Sequence, residues 1–103
     1  MEFTIAETNQ DHILSVTGEI DIYSVGLLKN GLGRLLDDAA CRNLVIDMAK
    51  VSYMDSSGIG LLIMSQKKMQ TKGGKLKIVN VKGEVYRVLK LSGLDRFFTI
   101  ADL

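Results

Sequence analysis

The stretch with the strongest chemical character is Asp55-Ser56-Ser57-Gly58-Ile59-Gly60, in which hydroxyls follow a carboxylate and precede an apolar series at helical spacing. Four chemistries could use it. As a cap, Asp55 or Ser56 would accept a hydrogen bond from a free backbone N–H at a helix start. As a hydrolytic nucleophile, a serine would need a Gly-x-Ser-x-Gly elbow and a base. Residue 54 is Met, however, and the only histidine, His12, lies far upstream. As an oxygen donor, Asp55 could join Asp21 and Asp47 around a metal ion, yet their spacing does not dictate convergence and there is no calcium loop. As a phosphoacceptor, a serine at a helix N-terminus is favoured by the helix dipole and free N–H groups, while the adjacent Asp55 opposes the added charge. A phosphate there would be an electrostatic toggle on an exposed face. Capping and phosphoacceptance survive, and spacing alone does not separate them.

Other reactive residue types offer less. Gly26 and Gly31 have the separation of a phosphate loop, but Leu32-Gly33 stand where Lys and Ser/Thr are needed. His12 falls in or beside the polar turn Asn9-Gln10-Asp11-His12 with no second imidazole in the chain, and reads as structural or solvated rather than as a ligand. Cys41 has no partner for a disulfide or a thiolate metal site, so it reads as a small buried hydrophobe in a reducing compartment. No metal, cofactor or catalytic residue is expected. Thirteen Lys+Arg against twelve Asp+Glu leave a net charge of +1, which supplies no field for concentrating nucleic acid or an anionic membrane surface. No apolar run approaches the roughly 18 residues of a membrane span, and the N-terminus lacks a cationic segment before an apolar one. The expectation is a cytoplasmic protein.

The elements that must position these residues follow from hydrophobic period. The chain of 103 residues, 47% hydrophobic, suits one domain over residues 1–103 whose stability comes from packing. Phe3-Thr4-Ile5-Ala6-Glu7 and Ile13-Leu14-Ser15-Val16-Thr17 alternate as the strands of a hairpin. Val25, Leu28, Leu32, Leu35 and Leu36 share one face of a helix over residues 24–38, with Ser24 as its cap. Its three glycines, Gly26, Gly31 and Gly33, each cost about 1 kcal/mol relative to Ala. Asn43-Leu44-Val45-Ile46-Asp47-Met48 reads as a central strand covered on both faces. A second helix begins near Ser56, with Ile59, Leu62, Ile63, Gln66 and Met69 at helical spacing, and closes at Gly73-Gly74. A strand over residues 75–80 and a third helix over residues 84–91 follow, and Phe97-Phe98-Thr99-Ile100 is either a short strand or an apolar tail. The fold class is α/β: a small mixed, mostly parallel sheet of four to five strands with helices packed on it, in the order β-β-α-β-α-β-α.

In that order of elements, four segments together resemble one family. They are Thr17-Gly18-Glu19-Ile20-Asp21, Leu44-Val45-Ile46-Asp47-Met48, the run from Val51 through Met54-Asp55-Ser56-Ser57-Gly58 to Gly60, and Leu91-Ser92-Gly93-Leu94. The chain is similar to the STAS-domain anti-sigma factor antagonists of bacterial partner-switching systems, over nearly its whole length. The resemblance implies the STAS fold and a regulatory protein that is not an enzyme. It implies that an anti-sigma factor with ATP-dependent serine kinase activity phosphorylates the hydroxyl directly after the Asp, which is Ser56 here, with Ser57 as the rival acceptor. Unphosphorylated, such a protein binds the anti-sigma factor and frees the sigma factor; phosphorylated, it lets go until a serine phosphatase restores it.

The resemblance also implies a partner face on one rim: Glu19, Asp21 and Ser24, then Asp55, Ser56, Ser57, Gly58 and Ile59, continuing along the exposed side of the second helix. Direct contact with nucleic acid or a membrane is not expected. Two features depart from the family: the glycine-rich first helix, and an end at Leu103 where many relatives continue into another amphipathic helix. The second would leave Phe97, Phe98 and Ile100 less covered, so a monomer is expected with weak dimerisation as the alternative. Two rival functions remain in view. One is a STAS interaction module in a non-sigma signalling or transporter complex. The other is a small nucleotide-binding or hydrolytic enzyme built on the polar rim around Asp21, Asp55 and Ser56.

Overall fold

The computed structural model describes residues 1–8 and 11–102. The chain runs β1 (Glu2–Thr8), β2 (Asp11–Ile20), α1 (Val25–Asp37), β3 (Asn43–Met54), α2 (Ser56–Thr71), β4 (Lys75–Val79), α3 (Gly83–Leu91) and β5 (Thr99–Ala101). One five-stranded sheet has the order β1-β2-β3-β4-β5. The β1–β2 pair is antiparallel, and the three remaining pairs are parallel, each bridged by one helix. Thr99 and Ile100 thus open a fifth strand, whereas Phe97 and Phe98 precede it. Among the described residues, no helix is long and apolar enough to cross a membrane.

Alternation decides how the sheet buries its residues. Leu14 and Val16, Leu44, Ile46 and Met48, and Leu76 and Ile78 are each at most 4% exposed and pack in one cluster with Leu28, Leu32, Leu62, Met69, Val85 and Leu89 of the helices. The intervening Ile13, Val45, Asp47 and Lys77 are only half-buried. β3 is therefore central but not covered equally on both faces, because an apolar run satisfies a buried strand while Asp47 and its neighbours tolerate partial solvation. Asp47 accepts from the side chain of Asn80 at 3.1 Å and from Ala49 N–H at 3.0 Å.

β3 is also twice the length of the strand read from its apolar run. Its pairing with β2 steps from Ser15↔Asp47 to Thr17↔Lys50 and from Gly18↔Val51 to Glu19↔Tyr53. Each step puts one extra residue in β3, the signature of a bulge. Buried positions accordingly fall at Leu44, Ile46, Met48, Val51 and Met54, and the change of spacing hides the second half of the strand from a period-two search.

Four local expectations are corrected. Asp11 and His12 belong to β2, and His12 is buried at 3% exposure, so it is neither in a turn nor solvated; Asn9 and Gln10 lie outside the described residues. Ser24 occupies the position before α1, but its hydroxyl does not cap the helix; it donates to Glu19 O at 2.9 Å and accepts from Asp21 N–H at 3.0 Å. Phe97 and Phe98 are not left uncovered. Phe98 is 4% exposed within the core, the two rings meet edge to face at 5.0 Å, and Phe97 and Ile100 pack against the same cluster. In α1, Gly31 has a packing reason: a Cβ there would lie 2.4 Å from the Phe3 ring, whereas Gly26 and Gly33 face open space.

Candidate functional site

Parallel neighbours bring their C-terminal ends to the same edge of a sheet. Ile20 ends β2 opposite Met54, which ends β3, so the turn over residues 21–24 and the start of α2 emerge side by side. Asp55 binds them together. Its N–H donates to Ile20 O at 3.1 Å, and its carboxylate accepts from Ile22 N–H at 3.1 Å across the gap between the two segments. The other carboxylate oxygen caps α2, accepting from Ser57 N–H at 2.9 Å, Gly58 N–H at 3.4 Å and the Ser57 hydroxyl at 2.5 Å. Asp21 performs the equivalent task on its own turn, accepting from Tyr23 and Ser24 N–H at 3.0 Å each.

The two candidate serines therefore differ in environment. The Ser57 hydroxyl is committed to Asp55 and the residue is half-buried. Ser56, the first residue of α2, is exposed, and its hydroxyl makes no hydrogen bond among the described residues. Gly58 is buried because the helix start presses on the strand ends: a Cβ there would stand 2.5 Å from Met54 Cγ and 2.8 Å from Ile20 Cγ2. Glu19 is exposed beside Tyr53, and Ile59 packs partly into the core.

Around this rim the surface is apolar. Tyr23 is 94% exposed, Ile22 69% and Leu27 56%, with Tyr53 also open to solvent. Ile22 and Tyr23 lay within the expected face without being singled out. The available signal was chemical: two large apolar residues sit inside a turn whose neighbours, Asp21 and Ser24, spend their side chains on the local backbone. Polar turns normally need no such residues. A concavity between β3, β4 and α2, lined in part by Asp11, Asn43, Gln66 and Lys77, takes in none of the rim residues.

The STAS domain family matches residues 3–102. The chain belongs to the STAS domain family. The anti-sigma-B factor antagonist of Bacillus subtilis (strain 168) is 32% identical over 97 residues, covering 94% of this chain and 87% of that protein. The anti-sigma F factor antagonist of Paenibacillus polymyxa is 28% identical over 90 residues, covering 87% and 77%. Among solved structures, an anti-sigma factor antagonist from Mycobacterium paratuberculosis superposes with a TM-score of 0.87 at 27% identity, covering 97% of this chain and 84% of that one. This STAS chain shares its mixed five-stranded architecture with such proteins.

Asp55 gives the rim a pH dependence. The hydrogen bond from the Ser57 hydroxyl, reinforced by those from the backbone N–H groups, holds its carboxyl below the ordinary value of 3.8 against a smaller opposing effect of desolvation. A carboxyl depressed in the folded state contributes stability that is present above the unfolded value and lost as pH falls through the folded one. The thermal midpoint of the wild type should therefore fall more steeply below pH 4 than that of Asp55→Asn. In a carboxyl NMR titration, Ser57→Ala should move the Asp55 midpoint upward. An unmoved midpoint would show that the hydroxyl contact does not act on the carboxylate.

Proposed function

We propose that this STAS protein is an anti-sigma factor antagonist that docks through the rim formed by residues 19–24 and the start of α2, and that Ser56 is its phosphoacceptor. The observation that carries the reading is the contrast between the two serines: Ser56 is exposed and uncommitted beside exposed Ile22 and Tyr23, whereas Asp55 holds Ser57. The partner is an anti-sigma factor that is also an ATP-dependent serine kinase. In the transfer step the Ser56 oxygen bonds to the γ-phosphorus of ATP, the hydroxyl proton passes to a base on the kinase, and ADP leaves. A serine phosphatase reverses the modification by hydrolysis. The protein itself acts as ligand and substrate, not as catalyst.

Geometry also suggests where the new charge goes. The Ser57 and Gly58 N–H groups that would ordinarily receive an anion at a helix start are already engaged by Asp55. A phosphate on Ser56 is thus kept from folding back onto the helix and is presented outward, toward whatever covers Ile22 and Tyr23. Peptide mapping by mass spectrometry after incubation with the anti-sigma kinase and ATP tests the assignment. Phosphate is expected on Ser56 alone; phosphate on Ser57 with Ser56 unmodified would overturn it. Recovery of STAS-bound proteins from native cells without any ATP-binding anti-sigma kinase would instead favour a signalling or transporter complex.

A further inference from the structure

At the opposite end of β2 from Ser56, three side chains from three elements converge. Glu7 of β1 and His12 of β2 are cross-strand partners, and Asp38 follows the last turn of α1. One ligand atom from each lies within 4.8 Å of the other two. His12 is 3% exposed, and among the described residues neither ring nitrogen has a hydrogen-bond partner. Its Nε2 stands 3.2 Å from Glu7 Oε1, but without hydrogen-bond geometry. A buried imidazole facing carboxylates off the hydrogen-bonding direction is unsatisfied: a lone pair on Nε2 finds no donor, and a proton there is not aimed at its acceptor.

We propose that Glu7, His12 and Asp38 bind a divalent first-row transition-metal ion, for which zinc is the test ion. Ligands around a tetrahedral ion do not point at each other; with bonds of about 2.0–2.1 Å they are separated by an edge of about 3.3–3.4 Å. The 3.2 Å off-axis approach of Glu7 Oε1 to Nε2 is close to that length. Only Asp38 must close in, and it is exposed; one of its oxygens accepts from Ala40 N–H at 2.9 Å, leaving the other for the ion. The fourth position is open to water on the Glu7 side, whose side chain is 68% exposed.

The surrounding charges suit a dication. Lys72 is held beside the cluster, its ammonium donating to Asp38 O at 2.9 Å and to Leu36 O at 3.0 Å, so two carboxylates and one ammonium leave a net negative charge for the ion to neutralise. Cys41 lies near the same groups, and burial pushes its thiol up, but it is not among the residues whose ligand atoms converge here. Imidazole with carboxylates favours zinc, cobalt or nickel over magnesium or calcium. This assignment differs from the sequence-based expectation that His12 is not a ligand.

The test uses untagged full-length protein stripped with a chelator, since His12 is the only histidine and a tag would add others. Titration calorimetry with zinc chloride should show one saturable site and a rise in thermal midpoint that magnesium chloride does not reproduce. Cobalt chloride should give visible d–d absorption and shift the single imidazole resonance. Glu7→Gln and Asp38→Asn, both exposed and safe for folding, should each weaken zinc binding by about 10- to 100-fold or more, the loss that even outer ligands cause. His12→Gln should abolish it if that variant folds by circular dichroism. No saturable binding by the wild type would overturn the proposal, as would binding unchanged in both carboxylate variants. An imidazole that titrates against Glu7 and Asp38 while zinc leaves it unmoved would identify a proton as the occupant, and would equally overturn it. Because Ser56 lies at the far end of β2, failure here would leave the phosphoacceptor reading untouched.

Discussion

On the proposed function, phosphate on Ser56 is expected to cost at least about a hundredfold in affinity for the anti-sigma factor, which is about 2.8 kcal/mol. The magnitude follows from charge and distance. Two unit charges about 5 Å apart at an effective dielectric of about 20 interact by roughly 3 kcal/mol. A phosphoserine carries about −1.5 to −2 charges. One acidic group on the partner, together with desolvation of the phosphate against Ile22 and Tyr23, could then approach the roughly 5.5 kcal/mol that inverts a 99:1 population. Ser56→Asp carries a smaller charge and should weaken binding by about 10- to 100-fold. Ser56→Ala should bind with or without ATP, because the complex can no longer be dissolved by phosphoryl transfer. Calorimetric titration of each form against the proposed anti-sigma kinase decides the matter. Equal affinities for the phosphorylated and unmodified proteins would remove the switch.

The same substitution at two glycines of α2 should act in opposite directions. Gly58→Ala places a Cβ 2.5 Å from Met54 Cγ, which is mid-chain, and 2.8 Å from Ile20 Cγ2, a branch methyl set by χ1, and both residues are buried. The helix start must lift from the strand ends, and overpacking of this kind costs about 1–3 kcal/mol. Gly60→Ala meets nothing within 4 Å and should stabilise the helix by up to about 1 kcal/mol. Each kcal/mol moves the thermal midpoint of a domain this size by about 4–8 °C, so calorimetry resolves the two signs. Because Asp55 grips both Ile22 and the first turn of α2, lifting the helix at Gly58 should also weaken partner binding. A Gly58→Ala protein as stable as wild type would show that the contact is not tight.

How far the molecule was legible depends on where local pattern and tertiary packing agree. The element order, the parallel β3–β4 pair and the start of α2 follow from apolar period and from Asp55 as a cap, because those signals are local. The second half of β3 was hidden by two extra residues that break its alternation. His12 looked like a turn residue, since nothing local announces that Glu7 and the end of α1 will close over it. Gly31 looked like a cost to α1 until Phe3 filled the space its missing side chain leaves. The burial of Phe98 likewise depends on distant partners. At the rim, the serine and its carboxylate were readable from their order, whereas Ile22 and Tyr23 were covered only as part of the expected face, although two large apolar residues in a turn between Asp21 and Ser24 already signal an exposed patch.

The uneven length of β3 has a mechanical consequence. β4 accompanies it only to Asp47, opposite Val79, while β2 continues to Met54. Beyond that point β3 is laddered on its β2 side alone, and past Thr17, where β1 ends its own pairing with β2, the backbone beneath Ser56 is a two-stranded ribbon. Amides there should exchange with solvent through local openings that leave the rest of the sheet closed. A partner that clamps the ribbon would slow this exchange, and part of its binding energy would go into stiffening the platform on which the serine stands.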